Sequence, residues 1–124
     1  MNQKENFVSQ LIEKTRNNEI TWTISNGDNL ANLIPNANLI IRTFSTSVGN
    51  TTIVFVEQKL PRFHEDLDNY YEHLRRDIYI IEFGLLQTSI AEEEVSGYLM
   101  QDLYTSIQDK QDNGILTNLL GMLK

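Results

Sequence analysis

Groups able to bind a metal or move a proton crowd together in one stretch of the sequence. His64, Glu65, Asp66, Asp68, Glu72 and His73 follow one another closely, and His64 and His73 are the only histidines. Read as a helix over His64–Arg76, this stretch brings His64, Asp68 and Glu72 onto one face at intervals of four residues. That is a donor set of the kind divalent cations accept. The two histidines, however, fall on opposite faces of a straight helix and cannot share an ion, and the spacing is not His-Glu-x-x-His. The expectation is a solvated polar face and no metal. Acid–base chemistry has two further candidates, Glu57 and Glu82, each of which interrupts an apolar strand-like run. One carboxylate with a pKa raised by burial would be needed. The alternative is an outward position, or a cross-strand pairing with Arg42 or Lys59.

Other chemistries lack their residues. Ser45, Thr46 and Ser47 sit near Gly49, but there is no Gly-x-Ser-x-Gly and no histidine context for a triad. The six glycines form neither a P-loop nor Gly-x-Gly-x-x-Gly. With no cysteine there is no thiolate nucleophile, disulfide, iron–sulfur cluster or cysteine zinc site. The expectation is a protein that is not an enzyme, with no catalytic residue and no cofactor.

Charge gives the positive signal. The chain of 124 residues has a formal net charge of −7, which disfavours nucleic acid as a partner, since phosphate contacts need cationic surface. The charge is uneven along the chain. Residues 1–62 hold five acids and six bases, and residues 63–124 hold twelve acids and four bases. A solvating face is one reading. The other is an acidic docking surface for a basic protein, for which Glu65, Asp66, Asp68 and Glu72 form the rim and Tyr70 and Tyr71 the aromatic anchors.

Hydrophobic periodicity supplies the elements that carry these groups. Phe7, Val8, Leu11, Ile12 and Thr15 form one stripe of a helix over Lys4–Arg16, with Asn17-Asn18 as its stop. Ile20, Trp22 and Ile24 alternate with threonines in a strand over Glu19–Ile24. Ser25–Asn38 reads as a loop pinned by Leu30, Leu33 and Ile34, with a short helix over Asp28–Ile34 as an alternative. Leu39–Val48 and Thr51–Leu60 form a hairpin about Gly49-Asn50, glycine suiting the first position of a type II′ turn. Apolar residues on both faces of the second strand imply a central position. Pro61 ends that strand. Leu67, Tyr70, Tyr71 and Leu74 then fall at helical spacing, with a structured loop as the competitor. Ile78–Gln87 returns to strand. Ser89 and Glu92 fit a capping box for a helix carrying Val95, Leu99, Met100, Leu103, Tyr104 and Ile107. Asp112-Asn113-Gly114 ends it, and Ile115, Leu116, Leu119, Leu120, Met122 and Leu123 make a short final helix. Burial of that helix on its own sheet and a homodimer contact are the two alternatives.

Three short runs, Leu11-Ile12-Glu13-Lys14-Thr15, Ile20-Thr21-Trp22 and Leu103-Tyr104-Thr105-Ser106-Ile107, resemble those of a group of small bacterial proteins with an N-terminal helix, an antiparallel sheet and a C-terminal helix. Such proteins are often associated with mobile elements or phage defence. The resemblance implies an α+β fold and carries no functional residue with it.

The sequence therefore predicts a single α+β domain over 1–124, in which a four-stranded antiparallel sheet is packed with N- and C-terminal helices. The absence of a basic and apolar leader, and of any apolar run of spanning length, predicts a soluble cytoplasmic protein with no membrane contact. The expected function is a non-enzymatic interaction module of the immunity or inhibitory kind. The alternative is a small-molecule-binding domain with a pocket near Trp22, Phe44, Phe55 and Tyr104.

Overall fold

The computed structural model describes residues 2–27, 30, 33, 34 and 39–123; of these, the side chains of 62–64, 67, 70 and 71 lie outside the description. The short helix considered over Asp28–Ile34 falls largely outside the described residues. The architecture is α+β, with a helix at each end and an antiparallel sheet between them in sequence. Two compact units are formed, one from Met1–Thr21 with Glu93–Lys124 and the other from Trp22–Glu92.

In the helical unit, α1 spans Gln3–Arg16 and α2 spans Gly97–Met122. Asn2 caps α1, its side chain accepting from the Glu5 N–H at 2.8 Å. Val8, Leu11, Ile12 and Thr15 are its buried stripe, and Asn18 takes a positive φ of 61° just past its end, as the asparagine pair implies. On α2 the buried stripe is Leu99, Met100, Leu103, Ser106 and Ile107. Arg16 ties the two helices, its Nε donating to Ser106 Oγ at 3.1 Å. Two expectations change here. Ser89 is in a strand, and α2 starts after Ser96. Asp112-Asn113-Gly114 does not break the helix: α2 is continuous for 26 residues.

The sheet unit has five strands, not four, in the order β1 (Thr23–Ser25), β2 (Ile40–Val48), β3 (Thr51–His64), β4 (Asn69–Glu82) and β5 (Leu85–Ile90). All neighbours are antiparallel. The hairpin at Gly49-Asn50 forms as predicted, with Gly49 at φ 63° and Val48 paired to Thr51. The fifth strand arises because the run from Ile78 is split by a second tight turn. Phe83 and Gly84 both take positive φ, 55° and 73°, the signature of a type I′ hairpin, so Leu85–Ile90 folds back on β4.

The largest difference concerns 64–76, which is not helical. Strand β3 runs four residues past Leu60 and pairs with β4 from Thr51↔Glu82 to His64↔Asn69. A 3-10 turn over Glu65–Leu67 and Asp68 at φ 48° reverse the chain between them. Pro61 does not stop β3, for a reason in the pairing phase. The closing pair Val48↔Thr51 is hydrogen-bonded, so odd-numbered residues of β3 aim their N–H towards β2. Pairing with β2 ends at Gln58, so at position 61 no neighbour needs a donor on that side.

Strand β3 is central and covered on both faces, as its apolar pattern implies. On one face Phe44, Phe55 and Ile78 are fully buried, with the two phenylalanine rings 6.0 Å apart. On the other, Leu30 and Ile34 pack with Val54, Val56, Tyr79 and Ile81. Leu30, Leu33 and Ile34, the apolar residues that the sequence singles out there, thus pack on the sheet.

Candidate functional site

The β3–β4 hairpin reaches beyond its neighbours. Pairing of β2 ends at Gln58 and pairing of β5 begins at Ile78. Among the described residues, no third strand pairs with 59–64 or with 69–77. This two-stranded ribbon carries the residues picked out by charge. Glu65 and Asp66 lie in the 3-10 turn at its tip, Asp68 follows in a left-handed conformation, and all three are exposed. Glu72 lies further down β4, exposed, with its carboxylate 3.5 Å from Lys59 Nζ. Such an exposed pair adds at most about 1 kcal/mol. Tyr70 and Tyr71 pair in register with Phe63 and Arg62, and their side chains lie outside the described residues. The structure therefore brings Glu65, Asp66 and Asp68 together at a tip and sets Glu72 apart, instead of aligning the acids on a helix.

The helical face of His64, Asp68 and Glu72 does not exist, because the segment is a strand–turn–strand. His73 Nε2 lies 3.5 Å from Glu92 Oε2. Among the described residues, no three metal-ligating side chains are grouped.

The ribbon is anchored at its root by two buried carboxylates. Glu57 is 3% exposed and accepts from Arg42 Nε on one side and from Arg76 Nε at 3.0 Å on the other. These residues are direct cross-strand partners on β2, β3 and β4. Arg42 also stacks 5.5 Å above the Phe44 ring. On the opposite face, the buried Asp77 accepts from Arg75 Nε at 2.7 Å and from the Glu92 N–H at 2.8 Å. Glu57, a candidate acid–base group by sequence, is thus the centre of a three-strand ion ladder. The helix expected over His64–Arg76 would have ended at Arg75 and Arg76, and Asp77 lay between it and the strand expected from Ile78.

Two further concave features lie among the described residues. A cavity of about 190 Å³ lies between Leu30 and Leu33 on one side and Ser25, Thr43, Ser45 and Val54 on the other. Ser25 Oγ and Thr43 Oγ1 are hydrogen-bonded at 2.7 Å. The cavity is on the face of the sheet opposite the buried Phe44 and Phe55. In the helical unit, a groove of about 320 Å³ runs between Ser9, Glu13 and Arg16 of α1 and Leu99 and Asp102 of α2. At the start of α2, Glu5 accepts from Ser96 Oγ at 2.6 Å and from the Ser96 N–H at 3.2 Å. The Ser96 hydroxyl and amide hold the Glu5 carboxyl below the usual range. Burial, and then the Asp77 charge, push the Tyr79 phenol up.

Charge divides differently in space than along the chain. The helical unit holds eight acids and five bases, and the sheet unit nine and five. The sequence asymmetry between halves is thus shared by both units, and what persists locally is the acidic ribbon tip. The chain matches no protein-family model, no curated protein and no solved structure. No helix among the described residues is long and apolar enough to cross a membrane.

Proposed function

We propose that the protein is a non-enzymatic interaction module of the immunity or inhibitory kind that engages a basic protein through the tip of the β3–β4 ribbon. The observation that carries this reading is the ribbon itself. It leaves the sheet, and none of its described side chains from 59 to 76 is buried. It gathers three exposed carboxylates at its turn. A ribbon with only its own pairing has little intrinsic stability, and segments of this kind are where recognition is commonly placed. Complementary charge on a partner would speed encounter and select against acidic competitors. The Arg42–Glu57–Arg76 ladder would fix the angle at which the ribbon leaves the sheet.

The test is charge reversal of Glu65, Asp66 and Asp68 to lysine, with affinity capture from the native cell at low salt. The reading expects basic proteins held by the parent chain, released by added salt and lost from the variant. Unchanged capture by the folded variant would remove it.

A further inference from the structure

A second surface, independent of the ribbon, lies at the end of α2. Ile115, Leu116, Leu119, Leu120, Met122 and Leu123 are 48% to 83% exposed. No residue of α2 after Ile107 is buried, and none from 113 to 123 is charged. At about 100° per residue, the exposed apolar stripe points roughly opposite to the buried stripe Leu99–Ile107. The element that buries the first half of the helix therefore cannot bury the second. Intrinsic propensity does not keep this segment helical either. Asn113, Gly114, Thr117, Asn118 and Gly121 are poor helix formers, and such helices persist in water by packing an apolar face.

We propose that this segment pairs with the same segment of a second copy of the chain, antiparallel, about a two-fold axis near Leu119 and Leu120. Leu116, Leu119, Leu120 and Leu123 follow the i, i+3, i+4, i+7 pattern of a helix–helix seam. Six side chains at these exposures present on the order of 600 Å², so a symmetric pair that covers all of them removes at most about 1,200 Å² from water, the lower end of specific interfaces. An uncharged, leucine-rich centre is what the middle of a homodimer contact requires. Charge sets the direction. Asp109 and Asp112 lie on the same side of α2 as the apolar stripe, so parallel helices would oppose each aspartate to its own copy. Antiparallel helices place the two Asp112 residues roughly 20 Å apart, beyond the screening length of about 8 Å at physiological salt.

Sedimentation equilibrium of the full chain over a wide concentration range tests the pairing. The expected result is twice the 14.4 kDa chain mass, with the dissociation constant of the Leu119→Asp/Leu120→Asp variant raised about 100-fold or more. Neither position is buried within the chain, and an unchanged emission spectrum of Trp22, the single tryptophan and buried in the sheet unit, confirms the fold. Direction is read by single cysteines, which the cysteine-free chain allows. Leu119→Cys is expected to cross-link into dimers and Asp112→Cys is not. The proposal is overturned if the chain stays at 14.4 kDa throughout, whether or not it then binds phosphatidylglycerol vesicles. It is also overturned if the dimer survives the double variant, or if Asp112→Cys cross-links as readily as Leu119→Cys.

Discussion

Replacing Glu57 by glutamine removes one charge from the ladder that roots the ribbon, with little change of shape. Glu57 is 3% exposed, and the side chains of its partners Arg76 and Arg42 are 13% and 35% exposed. Breaking a fully buried ion pair from one side costs about 3–5 kcal/mol, because the remaining charge is stranded. Arg42 retains water, and the amide oxygen of glutamine still accepts one hydrogen bond, so the expected loss is about 2–3 kcal/mol. In urea, with a slope of about 1–3 kcal/mol per molar for a domain of this size, the midpoint falls by about 0.7–3 M with no change in slope. Arg76→Gln should then cost less in the Glu57→Gln background than in the parent, by about 1 kcal/mol or more. An effect of Glu57→Gln below about 0.5 kcal/mol, the level of an ordinary surface substitution, would refute the ladder as the ribbon's anchor.

Phe83 is 79% exposed and sits at φ 55° in the β4–β5 turn, so Phe83→Asn, which makes the preferred Asn-Gly pair, should raise stability by about 1 kcal/mol in thermal unfolding. Glu5 titrates below its unfolded value of about 4.3, so its contribution is present above that pH and is lost as pH falls through the folded pKa. Stability curves of the parent and Glu5→Gln should therefore differ at neutral pH and converge in acid. Tyr79 has the opposite sign. Its raised pKa favours the neutral phenol in the fold, so stability falls as pH rises above about 10, the unfolded value, and Tyr79→Phe flattens that limb.

The sequence makes several elements legible because local chemistry and burial agree there. The α1 stripe ending at Asn17-Asn18, the Gly49 hairpin and the two-faced apolar pattern of β3 all have one physical solution. The ribbon was illegible because Leu67, Tyr70, Tyr71 and Leu74 satisfy helical spacing, while Phe63 and Arg62, the pairing partners of Tyr70 and Tyr71, lie beyond a proline that normally ends a strand. Only the phase of the β2–β3 pairing shows that Pro61 is harmless. At Phe83-Gly84 the turn was hidden by an aromatic residue in a conformation that aromatics rarely adopt. At Gly114 a stop signal was overridden and α2 continued. The acidic residues were visible in the sequence, but their grouping at a tip, with Glu72 excluded, depends on the strand–turn–strand. The role of Glu57 needed both arginines, one from each neighbouring strand.

The central claim, that the ribbon tip binds a basic protein, is tested most directly by quantitative capture with immobilised parent chain and the Glu65→Lys/Asp66→Lys/Asp68→Lys variant, side by side in low and high salt. The account predicts basic proteins that are retained by the parent in low salt, released in high salt and absent from the variant. The same proteins held equally by both chains, at either salt, would contradict it.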